Sequence, residues 1–462
     1  MHATSSTSRR QQKRIQNRIL DSDIYSFFNL LTSDDLLQHV EQNLPEHRER
    51  QFPPTETLAM FLSQAMSADR SCQHIVNEAA TNRLLGGLRP CSTATGGYCR
   101  ARQRLPLDMV RDLTRLTGQL IDDQVPLHWR WRGRPVRLID GSTVTLPDTA
   151  ANQAAYPQQK RQEEGLGFPI CRFVGITCLS SGAVLDIATS RYQGKGADEQ
   201  SLLRSLLHNL EMRDIVLGDA FYCTYFLLAE LQRRGIDGVF EQHGARKRTT
   251  DFRTGQALGR CDHLVTLTKP KARPKWMTDE AYAEAPDNII VRELKIGGKI
   301  LVTTFCCSNE VPKRAVQDLY KSRWHVELDF RHIKTTLGME TLSCKTPEMA
   351  IKEFWVYMLA YNLIRLLMAQ SALLADCLPR ALSFKHTTQL WLCFRRCGVP
   401  SYADEQVAVL MQLIAERRVG KRPGRIEPRA VKRRPKPMPL LTEPRRMARA
   451  RVERYGHPRK LK

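Results

Sequence analysis

The sequence predicts an α/β protein with a mixed central sheet, preceded by an all-helical N-terminal region. Three observations predict it. Residues 1–130 carry helical apolar patterns and little else, and from Val136 onward short apolar runs alternate with helix-length amphipathic stretches. The chain's 462 residues, 42% of them apolar, suffice for roughly two to four domains with cores of their own.

In the N-terminal region helices are expected at 57–66, 72–84 and 108–121, with breaks at Pro53-Pro54, at Gly86-Gly87 and through the loop 91–97. The basic leader Arg9, Arg10, Lys13, Arg14 and Arg18 reads equally as a DNA contact or as a solvated charged helix. Strands follow at 136–139, 173–179 and 183–188, then a helix at 199–210, a strand at 215–217, a helix at 222–234 and a strand at 238–240. Further runs at 264–267, 289–296 and 299–305, the last two joined at Gly297-Gly298 into a hairpin, form a β-rich insertion over 242–305. Helices resume over 312–337 and 347–375, with a smaller one at 405–418. The chain thus divides into a helical N-terminal domain (1–130), an α/β layer in two parts (131–241 and 306–400) around the insertion, and a C-terminal helix with a basic tail (401–462).

Charge indicates the partner. The net charge is +23, and residues 417–462 hold 18 Lys and Arg against three Glu, which is +15 and leaves +8 for the rest. Each Lys or Arg that meets a phosphate releases condensed counterions, so this excess favours nucleic acid over an anionic membrane, for which the proline-scattered tail has no amphipathic face. Residues 1–20 are basic without an apolar run, so no signal peptide is expected and a cytoplasmic location is. The longest apolar stretch, 354–375, contains Asn362, Arg365 and Gln370 and reads as a buried helix, with no membrane involved. Thirteen scattered cysteines without a C-x-x-C pair read as reduced thiols, and Cys393, Cys397 and His386 as packing groups, since no fourth metal ligand is evident.

Residues 320–334 are the most informative stretch. On a helix, Tyr320, Arg323, Glu327 and Lys334 fall within about 60° of one another, while Leu319, Val326, Phe330, Ile333 and Leu337 form an apolar stripe rotated by roughly 90°. One acid therefore lies among phosphate-seeking groups at the edge of a core. Two more acids, Asp140 before Gly141-Ser142-Thr143 and Asp219 after the run 215–218, end apolar strands, where sheets of this kind open onto a ligand crevice. Three such carboxylates can hold two divalent ions roughly 3.5–4 Å apart for phosphoryl transfer, and Mg²⁺ suits hard oxygen ligands. Each acid also has a plain alternative: a strand-end Asp is often a turn former, and Arg323 with Glu327 is spaced for a surface ion pair worth about 0.3–0.5 kcal/mol.

The spacing Tyr320-x2-Arg323-x3-Glu327-x6-Lys334 resembles the hallmark of DDE transposases of the IS-four type, encoded by bacterial insertion sequences. Similar wording recurs at 61–72, 97–102, 140–148, 152–157, 194–196 and 359–365, so the likeness covers most of residues 55–370. The resemblance implies a ribonuclease H-like catalytic layer interrupted by a β insertion, with Asp140, Asp219 and Glu327 as metal ligands for two Mg²⁺ ions, Mn²⁺ being a substitute. Tyr320, Arg323 and Lys334 would grip phosphates of double-stranded DNA, and the helical N-terminal domain would bind the transposon end. It further implies cut-and-paste chemistry: a nick at the transposon end, attack of the freed 3′-OH on the opposite strand to give a hairpin, then attack on target DNA, in a homodimer that joins two ends. Its rivals are a nuclease of the same fold without strand transfer and a catalytically inactive DNA-binding relative acting as repressor. Two features depart from the family pattern: Asp219 is followed by Ala-Phe-Tyr-Cys, and the insertion is short, its single Trp276 reading either as a core anchor or as a contact to an unstacked base.

Overall fold

The apolar runs from Val136 onward pair into one nine-stranded sheet of order β3-β2-β1-β4-β5-β9-β8-β7-β6 in the computed structural model. The structure describes residues 52–85, 87, 91–244, 250–396, 404–420 and 441–456. The basic leader from Arg9 to Arg18, Cys397, and residues 421–440 and 457–462 of the tail lie outside them.

The strands are β1 (Val136–Thr145), β2 (Ile170–Cys178), β3 (Val184–Arg191), β4 (Ile215–Gly218), β5 (Asp237–Glu241), β6 (Gln256–Gly259), β7 (Asp262–Thr268), β8 (Asn288–Ile296) and β9 (Lys299–Thr303). The first three form an antiparallel meander, and β4 then joins β1, and β5 joins β4, in parallel. The run read as an insertion is β-rich, and its strands extend this same sheet, because β9 pairs antiparallel with β5 and carries β8, β7 and β6 beyond it. The continuation reflects Val239, Phe240, Leu301 and Val302, apolar on both sides of that seam and all buried.

Alternation along the strands builds two cores. Leu138, Phe173 and Leu217 face one side, packed with Val326, Phe330 and the helix Pro347–Leu374; Ile139, Val174 and Val216 face the other, packed with the helices Glu199–Leu206 and Tyr225–Arg233. The result is three layers.

The helix Pro347–Leu374 passes for a membrane span by length and composition, yet 89% of its most apolar window is buried in the protein, so its hydropathy is that of a core element. The polar residues that interrupt its apolar run clamp neighbours to it. Asn362 accepts from the Val184 N–H (2.9 Å) and donates to the carbonyls of Val184 (2.8 Å) and Thr114 (3.0 Å), joining β3 to the helix Leu107–Asp123. Arg365 reaches a buried cluster described below.

The N-terminal helices are Pro54–Met66, Cys72–Leu85, Gly96–Arg104 and Leu107–Asp123. The third begins inside the stretch expected as a loop; its buried Tyr98 and Arg102, the latter over the rings of Phe61 (4.8 Å) and Tyr98 (5.0 Å), hold a sequence rich in Gly and Arg in helical form. Arg70, between the first two helices, donates to the Gly338 carbonyl (2.7 Å), which ties this region to the end of the segment bearing Glu327. At the other end, Phe384–Arg396 and Asp404–Glu416 pack on the long helix, while Arg445–Tyr455 buries no residue. All twelve cysteines among the described residues are free thiols.

Candidate functional site

Strand register sets two of the acids side by side. Leu138 pairs with Leu217 across the parallel seam, so Asp140 and Asp219 each stand two residues past that last paired position, at the same level on neighbouring chains. Asp140 lies within β1 rather than after it. The strand runs on to Thr145 because its Ser-Thr-Val-Thr segment keeps pairing with β2, while β4 stops at Gly218 and the two strands part at the acids. Asp219 accepts from the Phe221 N–H (2.8 Å), a turn that ends β4.

Glu327 comes from a helix that departs from the one expected. The continuous helix 312–337 is instead Lys313–Lys321, then Trp324–Arg331, then a π turn over His332–Thr336. Between the first two, bonds of the i→i−3 kind tighten the chain: Ser322 to Leu319, Arg323 to Tyr320, His325 to Ser322 and Val326 to Arg323. Overwinding there and underwinding after Arg331 shift the angular phase, so the four residues of the hallmark do not share one straight row. Tyr320 turns inward. Its hydroxyl is enclosed beside the Glu241 backbone with no hydrogen bond of good geometry, and burial pushes its pKa up. Arg323, Glu327 and Lys334 face the sheet.

The guanidinium of Arg323 stands between two acids, donating to Glu327 Oε1 at 2.8 Å and lying 3.8 Å from Asp140 Oδ2. Lys334 Nζ donates to Ser142 Oγ at 3.3 Å. Asp140, Ser142, Glu327, Arg331 and Lys334 thus line an open cleft of about 280 Å³. Asp219 is not among its lining residues, yet its charge acts on Asp140. Burial, then the carboxylates of Asp219 and Glu199, push the Asp140 pKa up to about 7, against the opposing pull of the Gly141 N–H (2.8 Å) and Arg323.

Among the described residues, no three His, Cys, Asp or Glu side chains stand close enough together to hold one ion as they are placed. The chemistry of the donor set nevertheless suits a divalent ion. The acids present only hard carboxylate oxygens, and the Arg323 guanidinium supplies positive charge between Asp140 and Glu327, where a cation would otherwise be favoured. Drawing Arg323 toward an incoming phosphate would free both acids.

Sequence reasoning missed Glu199, the first residue of the helix Glu199–Leu206. Its carboxyl lies against Gly141 and accepts from the Tyr222 hydroxyl (3.3 Å). The signal available was an Asp-Glu pair opening a helix just after a Gly-Lys-Gly turn. Asp329, two residues past Glu327, belongs to the core. It is fully buried and takes Arg365 (2.6 Å) and Arg380 (2.8 and 3.0 Å), whose charges hold its pKa down against burial. His332 closes this cluster, stacked on Phe384 at 4.7 Å with its Nδ1 facing Arg365 at 3.4 Å.

Burial and the nearby guanidinium groups depress His325 to about 4 and His332 to about 3. The folded protein keeps both neutral where the unfolded chain, near 6.5, takes up protons, so stability falls as pH drops below about 6.5 toward those values. Thermal midpoints measured by circular dichroism are expected to fall steadily from pH 7 to pH 4.5; a flat profile would remove these histidines from the account.

Trp276 is 47% exposed, covered on one face by the Arg204 guanidinium at 4.0 Å and edge-on to Phe226 at 6.1 Å, so it anchors no core. With Tyr222 and Met277 these residues line a groove of about 470 Å³ beside the acids. In the same segment Lys269 and Arg273 are paired with Asp287 (2.8 Å) and Asp279 (2.6 Å).

The family model described as the transposase DDE domain matches residues 131–363. The chain is 29% identical over 397 residues to the transposase InsG for insertion sequence element IS4 of Escherichia coli (strain K12), a match covering 84% of this chain and 87% of that protein. It is 34% identical over 64 residues to the transposase for insertion sequence element IS421 of Escherichia coli, covering 14% of this chain and 17% of that one. Among solved structures it is similar to the piggyBac transposase in a synaptic complex with hairpin DNA, with a TM-score of 0.42 and 10% identity over 87% of this chain and 86% of that one.

Proposed function

The chain belongs to the transposase DDE domain family as an IS4-type DDE transposase, and from this premise we propose that Asp140, Asp219 and Glu327 hold two divalent ions, Mg²⁺ or Mn²⁺, at the end of a transposon. The observation that carries this reading is the register that levels Asp140 with Asp219, together with the guanidinium that links Asp140 to Glu327. A ribonuclease H-like catalytic layer is supported by the meander β3-β2-β1 followed by parallel β4 and β5. The helices before residue 131 are read as the end-binding domain.

When bound, the ions stabilise charge on the entering and leaving oxygens of an in-line displacement. The remaining work falls to side chains. Arg323 exchanges its bond to Glu327 for a phosphate, which its planar fork can engage bidentately, and so releases the acid as DNA arrives. Lys334, bonded to Ser142 at 3.3 Å, follows as a point charge on the same backbone, and Tyr320, its hydroxyl enclosed beside Glu241, reaches a phosphate oxygen by turning out of that enclosure. One such grip serves each displacement of a cut-and-paste reaction: the nick, the hairpin closed by the 3′-OH, and joining to target. Joining two ends calls for two copies of the chain, and the reading places the protein on DNA in the bacterial cytoplasm.

The test uses purified full-length protein, DNA carrying the inverted repeats that flank its gene, and Mg²⁺. Nicked ends, hairpins and joined target products are expected. Cleaved ends with no joined product would indicate a nuclease, and end binding without cleavage a repressor-like relative.

A further inference from the structure

Gly194-Lys195-Gly196 lies in the turn that leaves β3 for the helix Glu199–Leu206. The turn sits on the edge of the sheet that carries the acids. β2 runs antiparallel to both β1 and β3, so Thr143, Arg172 and Ser190 form one row three residues beyond Asp140, and Val144, Cys171 and Arg191 form the next. Both glycines have positive φ, +130° and +73°, a backbone that other residues rarely adopt. The Arg191 guanidinium lies across the Gly194 backbone, 2.7–3.0 Å from where a Cβ would stand.

Arg172 fixes the turn from the strand side. Its Nη1 donates to the Ala197 carbonyl at 3.1 Å and its guanidinium lies over the Tyr192 ring at 4.6 Å, while its Nε is enclosed without a hydrogen-bond partner. Among the described residues neither Arg172, Arg191 nor Lys195 forms an ion pair, and Glu199 attracts Arg172 from beyond ion-pair reach. A cation on a solvated loop has water on every side. Arg172 is instead held by a ring and a carbonyl with part of its fork shielded, and a charge so placed is best satisfied by an anion brought to it.

We propose that Arg172, Arg191 and Lys195 form a second phosphate seat around this turn, and that it takes a backbone phosphate of the DNA being cleaved. This rests on the reading of the cleft at Asp140 as the place of cleavage. Three residues of strand span roughly 10 Å, close to the rise of about three nucleotides, so the phosphate seated lies about that far from the reacting bond. Arg323 and Lys334 line the sheet edge on the side of Glu327, whereas Arg172 shares with Thr143 the opposite face, that of the helix Glu199–Leu206. A strand crossing the acids is thus gripped on both sides of its scissile bond. Such contacts fix register and direction without reading bases.

The test is binding of the full-length protein to DNA carrying its inverted repeat, read by fluorescence anisotropy from about 50 to 200 mM salt. The double variant Arg191→Gln, Lys195→Gln changes two exposed side chains, and its thermal midpoint should match the wild type. It is expected to bind about tenfold more weakly, with a plot of log affinity against log salt shallower by about two. End DNA with one neutral methylphosphonate, moved through roughly two to four nucleotides from the cleavage point on each strand, locates the contact. One position should weaken the wild type about fivefold and leave the double variant unchanged. Wild-type affinity and slope in the double variant, or equal losses for both proteins at every position, would overturn the seat and leave the reading of the acids standing. A loss seen only with unrelated duplex would assign the turn to target DNA and overturn the seat as proposed. A wild type that nicks no end DNA once Mg²⁺ is added would remove the reading of the cleft and the seat with it.

Discussion

Glu327→Gln is expected to lower cleavage of transposon-end DNA by about a thousandfold or more while end binding stays within a few-fold of the wild type. The substitution keeps an oxygen for the Arg323 N–H, now 2.8 Å from Oε1, so the local fold is preserved, but it removes the negative charge that an ion needs. A thousandfold loss corresponds to about 4 kcal/mol of transition-state stabilisation, a reasonable share for Glu327 in its proposed role as a ligand of two divalent ions acting on both reacting oxygens. End-labelled DNA in Mg²⁺, with gel-shift titration for binding, measures both quantities. Cleavage within tenfold of the wild type would show that Glu327 is only the surface partner of Arg323.

Asp329→Ala, two residues away, should act on stability. Its carboxylate is fully buried and is shared by Arg365 and Arg380, and Arg365 in turn donates to the Tyr361 hydroxyl at 2.7 Å. Removing the acid leaves two guanidinium groups buried without their anion, which costs about 3–5 kcal/mol. The thermal midpoint is expected to fall by roughly 5 °C, and DNA cleavage at low temperature to persist in whatever fraction remains folded. Exchanging Asp329, Arg365 and Arg380 together for apolar residues of similar volume should recover most of the loss, because the penalty comes from unpaired charge. A midpoint within 2 °C of the wild type in the single variant would contradict this account.

The pairing of these two acids shows how far the sequence could be read. Helical period separated Glu327 from the apolar row Val326, Phe330 and Ile333, and those three are buried as that row requires. It could not show that Asp329 is also inward, because a carboxylate enters a core only with partners, and Arg365 and Arg380 lie 36 and 51 residues further along the chain. Nor could it show the tightened turn at Ser322–Arg323 or the π turn after Arg331, where the windings depart from 100° per residue and Tyr320 swings inward. Asn362 and Arg365, quoted as part of a motif, prove to be a clamp on β3 and a charge partner in the core.

By itself the sequence determined most of the order of strands and helices along the chain, since apolar runs of strand length alternate with helix-length stretches, and short-range periodicity is legible one segment at a time. It also determined the partner's sign, because net charge adds up irrespective of fold, and it singled out Asp140, Asp219 and Glu327 by local pattern. Only the tertiary structure decided that the strands after Glu241 extend the same sheet, that Asp140 and Asp219 are level with each other, that Arg323 lies between Asp140 and Glu327, and that Glu199 reaches Gly141. Each of these depends on register or on contact between residues distant along the chain, and a pattern with a period of two or 3.6 residues contains neither.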